Sequence, residues 1–529
     1  MIKSDSLDWH CPYPSQRAPV IARNIVATSQ PLAAAAGINA LRSGGNAVDA
    51  ALATAITLSV VEPNNNGIGS DAFAIIWDGQ SLHGLNASGK SPAGMHPDQF
   101  DGAMPVLGWS SVTVPGAVSA WVEMSRRFGK LPFRDLFTEA IHYAQDGFNV
   151  GPITGIAWQS AALTYKDYQP FMDTFMVEGV PPDIGSLVKL PDHASSLQSI
   201  ADSNGESFYT GDLARAMVDD AAKNGALLSY DDLANHRCEW VDTIATSFAH
   251  VHLHEIPPNG QGLMALTGLG ILRHAGIETY PLDSPDSIHL QIEATRIAYA
   301  EVERHLADIN HMKVSPDMLL EDNYLAQRAG EISLSNCNPS PTAMSAGADT
   351  VYLTTADASG CMVSMIQSNF MGFGSGVVVP GTGISLQNRG AGFVLEAGHP
   401  NRVGGAKRPF HTIIPGFVTA NGQPRMSFGV MGGHMQAQGH IQMMVRMFIH
   451  KQNPQAASDA PRWRVQENGQ LALEDGFDNA IAKELENRGH DVIRGGHASL
   501  FGGAQLIYRL ENGYCAGSDH RKEGLATGF

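Results

Sequence analysis

Cysteine is scarce in this chain and shows no pattern of a structural framework. No two of the five cysteines have the Cys-x-x-Cys spacing of a redox or zinc motif. They are scattered at Cys11, Cys238, Cys337, Cys361 and Cys515. Three alternating histidines, His250, His252 and His254, have no carboxylate or cysteine at matching short spacing. The sequence therefore predicts no disulfide scaffold, no metal site and no cofactor.

Long apolar runs and an excess of positive charge are also missing. The longest apolar stretch, residues 47–61, contains Asp49 and is too short to span a bilayer. The first ten residues have no apolar segment typical of a signal peptide. The net charge of -18, from 34 basic and 52 acidic residues, disfavours nucleic acid and anionic membranes as partners. We therefore expect a cytoplasmic protein whose partner is a small molecule.

The order of predicted elements favours a large layered α/β unit. With 529 residues, of which 43% are hydrophobic, the chain exceeds what one simple core supports. Residues 19–28 predict one buried strand, after which Ser29 is expected to cap a helix, and Asn46 begins a second helix. Residues 116–144 and 434–450 also predict helices. The last third is rich in strands and glycine, and it includes paired strands within 415–430.

A predicted hairpin follows a polar stretch near the middle of the chain. The stretch, residues 336–347, is accessible to a processing cut, and the hairpin that follows has strands at 351–356 and 362–366. A cut before Thr350 would give that residue both a nucleophilic hydroxyl and a basic α-amine. The alternative is a threonine that serves only as a strand former.

Two glycines precede the last predicted long helix. Gly432 and Gly433 follow a strand and lead into the helix at residues 434–450. Backbone N–H groups at such a position are well placed to stabilise an oxyanion.

With these residues in view, the chain resembles the γ-glutamyltranspeptidase family of N-terminal-nucleophile hydrolases. The resemblance runs nearly end to end. The segments that carry it are Ala27-Thr-Ser-Gln-Pro-Leu32, Gly44-Gly-Asn-Ala-Val-Asp-Ala50, Val112-Thr-Val-Pro-Gly-Ala117, the Thr350 strand, Lys407-Arg-Pro409 and Gly432-Gly433.

This resemblance implies an αββα sandwich and an autocatalytically cleaved precursor, or zymogen. The cut would fall between Asp349 and Thr350, giving a large subunit, 1–349, and a small subunit, 350–529, in one intertwined unit. The Thr350 hydroxyl would attack the carbonyl of Asp349, and water would release the resulting ester. The two products would form a heterodimer, and the sequence leaves open whether it dimerises further.

The resemblance also assigns the catalytic groups. Thr350 would be the nucleophile and Ser368 its hydroxyl partner. Gly432 and Gly433 would form the oxyanion hole.

The positions that hold a γ-glutamyl group in the family differ here. Ser88 replaces an arginine, and Phe370 replaces an asparagine unless a one-residue bulge brings Asn369 there. Ala391-Gly392 replaces the acidic pair that grips the α-amine. A desolvated ammonium group needs such a partner, so the γ-glutamyl amine has no expected holder.

Other residues of the expected pocket suit a carboxylate. Arg389 lies two residues before Ala391, and a guanidinium binds a carboxylate bidentately. His411 and Thr412 stand where the family has paired serines, and Phe370 would narrow the site. Arg389 could instead form a structural salt bridge, and His411 could only pack the pocket.

Within the family, these features most resemble the oxamate amidohydrolases. The resemblance implies hydrolysis of a small carboxylate-bearing amide, with oxamate split to oxalate and ammonia in purine-derived nitrogen use. The alternatives are a glutathione hydrolase or γ-glutamyltransferase, an acylase for glutaryl side chains, and an unprocessed binding or scaffold protein.

Overall fold

Two antiparallel sheets, each with seven strands among the described residues, lie at the centre of the molecule. The computed structural model describes Trp9, residues 16–338 and residues 349–529. The strands are β1 Val20–Ala22, β2 Ile25–Thr28, β3 Asp71–Trp77, β4 Leu82–Asn86, β5 Phe148–Asn149, β6 Leu187–Val188, β7 Glu239–Val241, β8 Ile244–Phe248, β9 Val251–Glu255, β10 Asp349–Ala356, β11 Met362–Phe370, β12 Gly416–Ala420, β13 Gln423–Met431, β14 Trp463–Val465, β15 Leu471–Leu473, β16 Val492–Arg494, β17 Gly503–Leu510, β18 Gly513–Ser518 and β19 Leu525–Gly528.

The strand order mixes the two halves of the chain. The first sheet runs β1-β18-β17-β13-β12-β9-β8, and the second runs β19-β2-β10-β11-β3-β4-β7. Both sheets therefore contain strands from before and after Thr350. A small three-stranded sheet, β14-β15-β16, lies apart from them.

Helices account for most of the remaining regular structure. They are α1 Pro31–Arg42, α2 Ala47–Val61, α3 Ala117–Phe128, α4 Thr138–Asp146, α5 Pro152–Thr164, α6 Gln169–Phe175, α7 Pro191–Asp202, α8 Glu206–Tyr209, α9 Asp212–Lys223, α10 Tyr230–Ala234, α11 Gly262–His274, α12 Pro285–Glu303, α13 Pro316–Leu319, α14 Asp322–Ala329, α15 Met435–Met444, α16 Pro454–Asp459 and α17 Asn479–Asn487. Within the described ranges, no helix combines the length and apolarity needed to cross a membrane.

Alternation along the strands separates three apolar layers. On β10, Tyr352 packs between the sheets with Phe417 and Ile507. Its neighbours Val351 and Leu353 face the opposite way, into a core shared with α2, α3 and α7. The outer face of the first sheet packs in the same manner against α11, α12 and α15. The predicted αββα sandwich is therefore confirmed.

The predicted first strand is wrong in its extent. Residues 19–28 form two short strands, because β1 pairs with β18 of the first sheet whereas β2 pairs with β10 of the second. The predicted cap is also displaced by one residue. Gln30 Oε1 accepts from the N–H groups of Leu32 and Ala33, whereas the Ser29 hydroxyl donates to Glu62.

Several other elements agree with their predictions. Asn46 caps α2 with a reciprocal capping box, and β12 and β13 form the expected hairpin. The helical stretch at 116–144 contains α3 and α4, and α15 continues as a π-helix to Ile449. Most of the predicted polar loop at 336–347 lies outside the described residues.

Candidate active site

Thr350 lies in a central strand, opposite a β-bulge. Asp349 pairs with Phe370, and Val351 pairs with Gln367, so Thr350 faces two residues of β11, Ser368 and Asn369. Thr350 Oγ1 donates a hydrogen bond of 3.2 Å to Ser368 Oγ, and both side chains are fully buried. The structure thus brings the predicted nucleophile and its predicted hydroxyl partner together.

The bulge forces an unusual backbone at Phe370. Its φ of +81° lies in the left-handed region that an aromatic residue rarely adopts. The Phe370 N–H donates to Ser368 Oγ at 2.8 Å and so fixes the position of that hydroxyl. Such a strained residue costs about 1–3 kcal/mol and persists where the surroundings hold it in place.

Asn369 points away from this contact. Its Oδ1 accepts from the Ser70 hydroxyl at 2.8 Å, and its Nδ2 is 3.4 Å from Ser385 Oγ. The one-residue bulge that could bring Asn369 into the family position is therefore present. Its amide is, however, engaged with these two serines.

Arg389 is held against the bulge by backbone and ring contacts. The N–H of Asn388 donates to the Asn369 carbonyl at 3.1 Å. The guanidinium carbon lies 4.6 Å from the centre of the Phe370 ring, a cation–π contact. Arg389 Nη1 donates to Thr412 Oγ1 at 2.8 Å. Arg389, Phe370 and Thr412 thus meet beside Ser368; that they bind substrate stays a prediction.

The Arg389 guanidinium has unused hydrogen-bonding capacity. The side chain is 1% exposed, and its Nε and Nη2 have no hydrogen-bond partner among the described residues. A buried cation normally satisfies its donors. A planar anion that reaches these two nitrogens would therefore complete the site.

A buried Asp71–His411 pair lies next to this arginine. Asp71 opens β3 directly opposite Ser368, and its Oδ2 is 3.0 Å from His411 Nε2. Burial raises the pKa of Asp71 to about 7, although the nearby Arg389 opposes that shift. Burial, reinforced by Arg389, lowers the pKa of His411 well below its usual 6.5. His411 is therefore neutral, and sequence reasoning missed its carboxyl partner.

Burial also acts on Arg389 itself. It lowers the pKa of the guanidinium to about 9, and the charge of Asp71 only partly offsets this effect. A bound carboxylate would supply the negative charge that favours the protonated guanidinium.

The two predicted oxyanion glycines follow β13. Gly432 has a φ of +112° and Gly433 a φ of +60°, both conformations that favour glycine. Gln261 Nε2 donates to the Gly433 carbonyl at 2.8 Å and also to the Thr412 carbonyl. Among the described residues, neither glycine N–H donates a hydrogen bond. Gln261 joins this turn to the Arg389 side of the site, a role that the sequence did not reveal.

A cavity of about 840 Å³ adjoins this group of residues. Ala391, Gly392, Phe410 and His434 line it, and these are close chain neighbours of Arg389, His411 and Gly433. The Phe410 and His434 rings stack with their centres 5.5 Å apart. The cavity is far larger than an ammonia molecule needs.

Ser88, which stands where the family has an arginine, and the nearby Lys90 have no carboxylate-binding arrangement among the described residues. The Ser88 hydroxyl donates to Asn86 Oδ1 at 2.7 Å, and the side chain is fully buried. Lys90 is exposed to solvent. Histidines 252 and 254 of β9 lie beside hydroxyl groups of Ser247, Thr243 and Thr419.

Comparison with known proteins agrees with this architecture. The model of the family described as "Gamma-glutamyltranspeptidase" matches residues 33–529. The "Oxamate amidohydrolase proenzyme" of Klebsiella pneumoniae is 33% identical over 94% of this chain and 97% of that protein. The "Glutathione hydrolase-like YwrD proenzyme" of Bacillus subtilis is 32% identical over 96% and 98%. The crystal structure of a cephalosporin acylase from Bacillus halodurans is 44% identical, with a TM-score of 0.94 over 99% of both chains.

The sandwich fold and these similarities define an N-terminal-nucleophile hydrolase that acts on amide bonds. Within that class, the chain belongs to the γ-glutamyltranspeptidase family.

Proposed function

We propose that this enzyme hydrolyses amides whose acyl part ends in a carboxylate and carries no α-amine. The observation that carries the proposal is the buried Arg389 guanidinium with two nitrogens unused among the described residues. A carboxylate would dock on those nitrogens bidentately. Thr412 would hold the third nitrogen, and the Phe370 ring would back the guanidinium plane.

Thr350 is the nucleophile in this proposal, exposed by cleavage of the bond from Asp349. In the precursor, the Thr350 hydroxyl attacks the Asp349 carbonyl, the acyl group moves from nitrogen to oxygen, and water cleaves the ester. The freed α-amine, with an ordinary pKa of about 7.7–8.0, is then available as a base. Ser368 Oγ, held by the Phe370 N–H, orients the Thr350 hydroxyl.

The hydrolytic cycle then uses the same groups. Thr350 Oγ attacks the substrate carbonyl while the α-amine takes its proton. The N–H groups of Gly432 and Gly433 stabilise the oxyanion. The α-ammonium returns the proton to the leaving amine, and water, deprotonated by the α-amine, hydrolyses the acyl-enzyme ester.

Among enzymes with this activity, the cavity favours an acylase that removes glutaryl side chains. The space of about 840 Å³ beside Ala391, Phe410 and His434 suits a bulky leaving amine. The similarity to a structure titled cephalosporin acylase supports the same choice.

Oxamate is the second candidate. The Phe370 ring lies 4.6 Å from the guanidinium, which narrows the acyl side of the site and suits a two-carbon acid. The Klebsiella relative with an oxamate amidohydrolase name supports it. A cytoplasmic role in purine-derived nitrogen use would accompany this substrate.

A γ-glutamyl substrate is disfavoured because the two positions that hold its α-ammonium in the family, Ala391 and Gly392, carry no acidic side chain. The carboxyl of Asp71 is already engaged. Its Oδ1 accepts from the N–H groups of Gly116 and Gly89, and its Oδ2 contacts His411.

The test compares three substrates with the processed enzyme: glutaryl-p-nitroanilide, γ-glutamyl-p-nitroanilide and oxamate, the last followed by ammonia release. We expect kcat/KM for the glutaryl compound to exceed that for the γ-glutamyl compound by about 100-fold, because an unpaired buried ammonium costs several kcal/mol. Preference for the γ-glutamyl compound would refute the proposal. Dominant turnover of oxamate would select the second candidate.

Processing is tested separately on a denaturing gel. Replacing Thr350 by Ala should leave one band near 56.4 kDa and abolish turnover. The exposed Thr210→Ala variant is the matched control and should give two bands. Efficient cleavage of the Thr350→Ala variant would disprove the assigned nucleophile.

A further inference from the structure

A second cluster of polar side chains lies outside the groups assigned to amide hydrolysis. His289 and Glu293 are four residues apart on α12, so they share one helix face. His490 follows α17 and reaches the same point. One ligand atom from each of these three residues lies within 4.8 Å of the other two, and all three side chains are buried.

The hydrogen bonds of this cluster match those of a metal-binding histidine. His289 Nε2 is 2.8 Å from the Ser333 carbonyl, to which only a protonated nitrogen can donate. That bond leaves a lone pair on His289 Nδ1, which lies 2.8 Å from His490 Nε2. Metal-binding histidines characteristically donate their other ring N–H to a carbonyl in this way.

The third group, Glu293, also has capacity for a ligand. Its Oε2 accepts from the Asn338 N–H at 2.7 Å. Its Oε1 has no hydrogen-bond partner in the described ranges and has Arg296 Nε only at 3.8 Å. The Arg296 guanidinium donates instead from its Nη2 to the Gly469 carbonyl at 2.8 Å, so it makes an ion pair with Glu293 Oε1 but no hydrogen bond to it.

We propose that His289 Nδ1, His490 Nε2 and Glu293 Oε1 bind one divalent zinc ion. Two imidazoles and a carboxylate form a common zinc ligand set that leaves a fourth position for water. Zinc–ligand distances of about 2.0–2.2 Å place two ligand atoms about 3.4 Å apart in a tetrahedron. Small side-chain rotations from the separations seen here reach that geometry. The site was not predicted from the sequence, because the two histidines are 201 residues apart.

The position of the site suggests what the ion does. His289 and Glu293 precede the proposed cleavage bond, whereas His490 follows it. The segment from Ser333 to Asn338 is held against the same cluster, and the Cys337 N–H donates to the Arg488 carbonyl at 2.7 Å. The ion would therefore link the two subunits and hold the chain just before residues 339–348.

The test measures zinc in tag-free, processed enzyme after incubation with zinc chloride and desalting. We expect about one zinc ion per chain. Saturating zinc should raise the Tm by about 3 °C, and EDTA should reverse the rise. His490→Ala and the near-isosteric Glu293→Gln should lose both effects. The matched control, His252→Ala, removes an exposed histidine of β9 and should retain them.

Three outcomes would overturn the proposal. The first is the absence of retained zinc in the unaltered enzyme at a tenfold excess of zinc chloride. The second is zinc retention by Glu293→Gln and His490→Ala equal to that of the unaltered enzyme, which places the ion elsewhere. The third is an equal Tm rise with magnesium chloride, because a site with two imidazoles prefers zinc to magnesium.

Discussion

Replacing Arg389 by Met gives the sharpest test of substrate recognition. The change keeps much of the aliphatic volume against Phe370 but removes the positive charge and every donor. A substrate that depends on the guanidinium should lose its advantage over a neutral substrate of the same length. Glutaryl-p-nitroanilide and pentanoyl-p-nitroanilide form such a pair.

The magnitude follows from the two unused nitrogens and their burial. Removing one partner of a buried, hydrogen-bonded charge pair costs about 2–5 kcal/mol. The guanidinium is 1% exposed, so solvent screens it little. Since about 1.4 kcal/mol corresponds to a factor of ten, we expect kcat/KM for the glutaryl compound to fall about 30- to 4,000-fold. The pentanoyl compound should change by less than about threefold.

The assay is the initial rate of nitroaniline release from both substrates at concentrations well below KM. For the glutaryl compound, kcat/KM of the Arg389→Lys variant should lie between that of the unaltered enzyme and that of Arg389→Met. Lysine keeps the positive charge but cannot bind a carboxylate bidentately as a guanidinium does. The exposed Arg215→Ala variant should match the unaltered enzyme. Equal losses on both substrates would show that Arg389 only supports the Asp71–His411 pair, and the argument for a carboxylate substrate would fail.

Three further changes test the rest of the site. Ser368→Ala should lower kcat about 10- to 100-fold and slow precursor cleavage, with KM little changed, because the Thr350 hydroxyl loses its hydrogen bond to Ser368. Normal rates and normal processing would contradict this. Gly432→Ala should lower kcat about 100-fold in rate assays, because it disturbs the proposed oxyanion hole. The control is Gly422→Ala, which has a φ of +71° in an open hairpin turn and should keep its kcat. Equal losses in the two variants would indicate general backbone strain. Burial holds the Asp71 pKa near 7 in the folded enzyme, above its usual 3.8, so the folded state keeps a proton that the unfolded chain releases. Asp71 should therefore contribute a fall in stability of at most about 4 kcal/mol between about pH 4 and pH 7, and His411, whose lowered pKa acts with the opposite sign, offsets part of it below pH 6.5. The difference in thermal unfolding between the unaltered enzyme and Asp71→Asn should follow the Asp71 contribution, and parallel curves would refute it.

Local structure was predictable from the sequence where all the residues that form it lie in one short segment. Asn46 caps its helix as expected because the capping box lies within four residues. The hairpin that holds Thr350 and Ser368 is likewise set by a short turn between two alternating strands. These are contacts over small sequence separations, and local patterns report them well.

Contacts between distant segments were not predictable. Asp71 and His411 are 340 residues apart, and only the β3–β11 register brings Asp71 opposite Ser368. Residues 19–28 were predicted as one strand because both sheets favour the same apolar alternation. Which sheet each half joins depends on partners near residues 353 and 515, and no local pattern encodes that choice.

The interleaved strands determine how the cleaved enzyme loses its folded structure. A cut before Thr350 leaves β10 paired with β2 of the other chain on one side and with β11 of its own chain on the other. Neither product can keep the second sheet alone, so the two stay together while folded. Once unfolded, the heterodimer must reassemble from two molecules, at a rate that depends on concentration, whereas the uncut precursor refolds as one. The working lifetime of the mature enzyme is therefore set by its unfolding barrier rather than by an equilibrium with its separated chains.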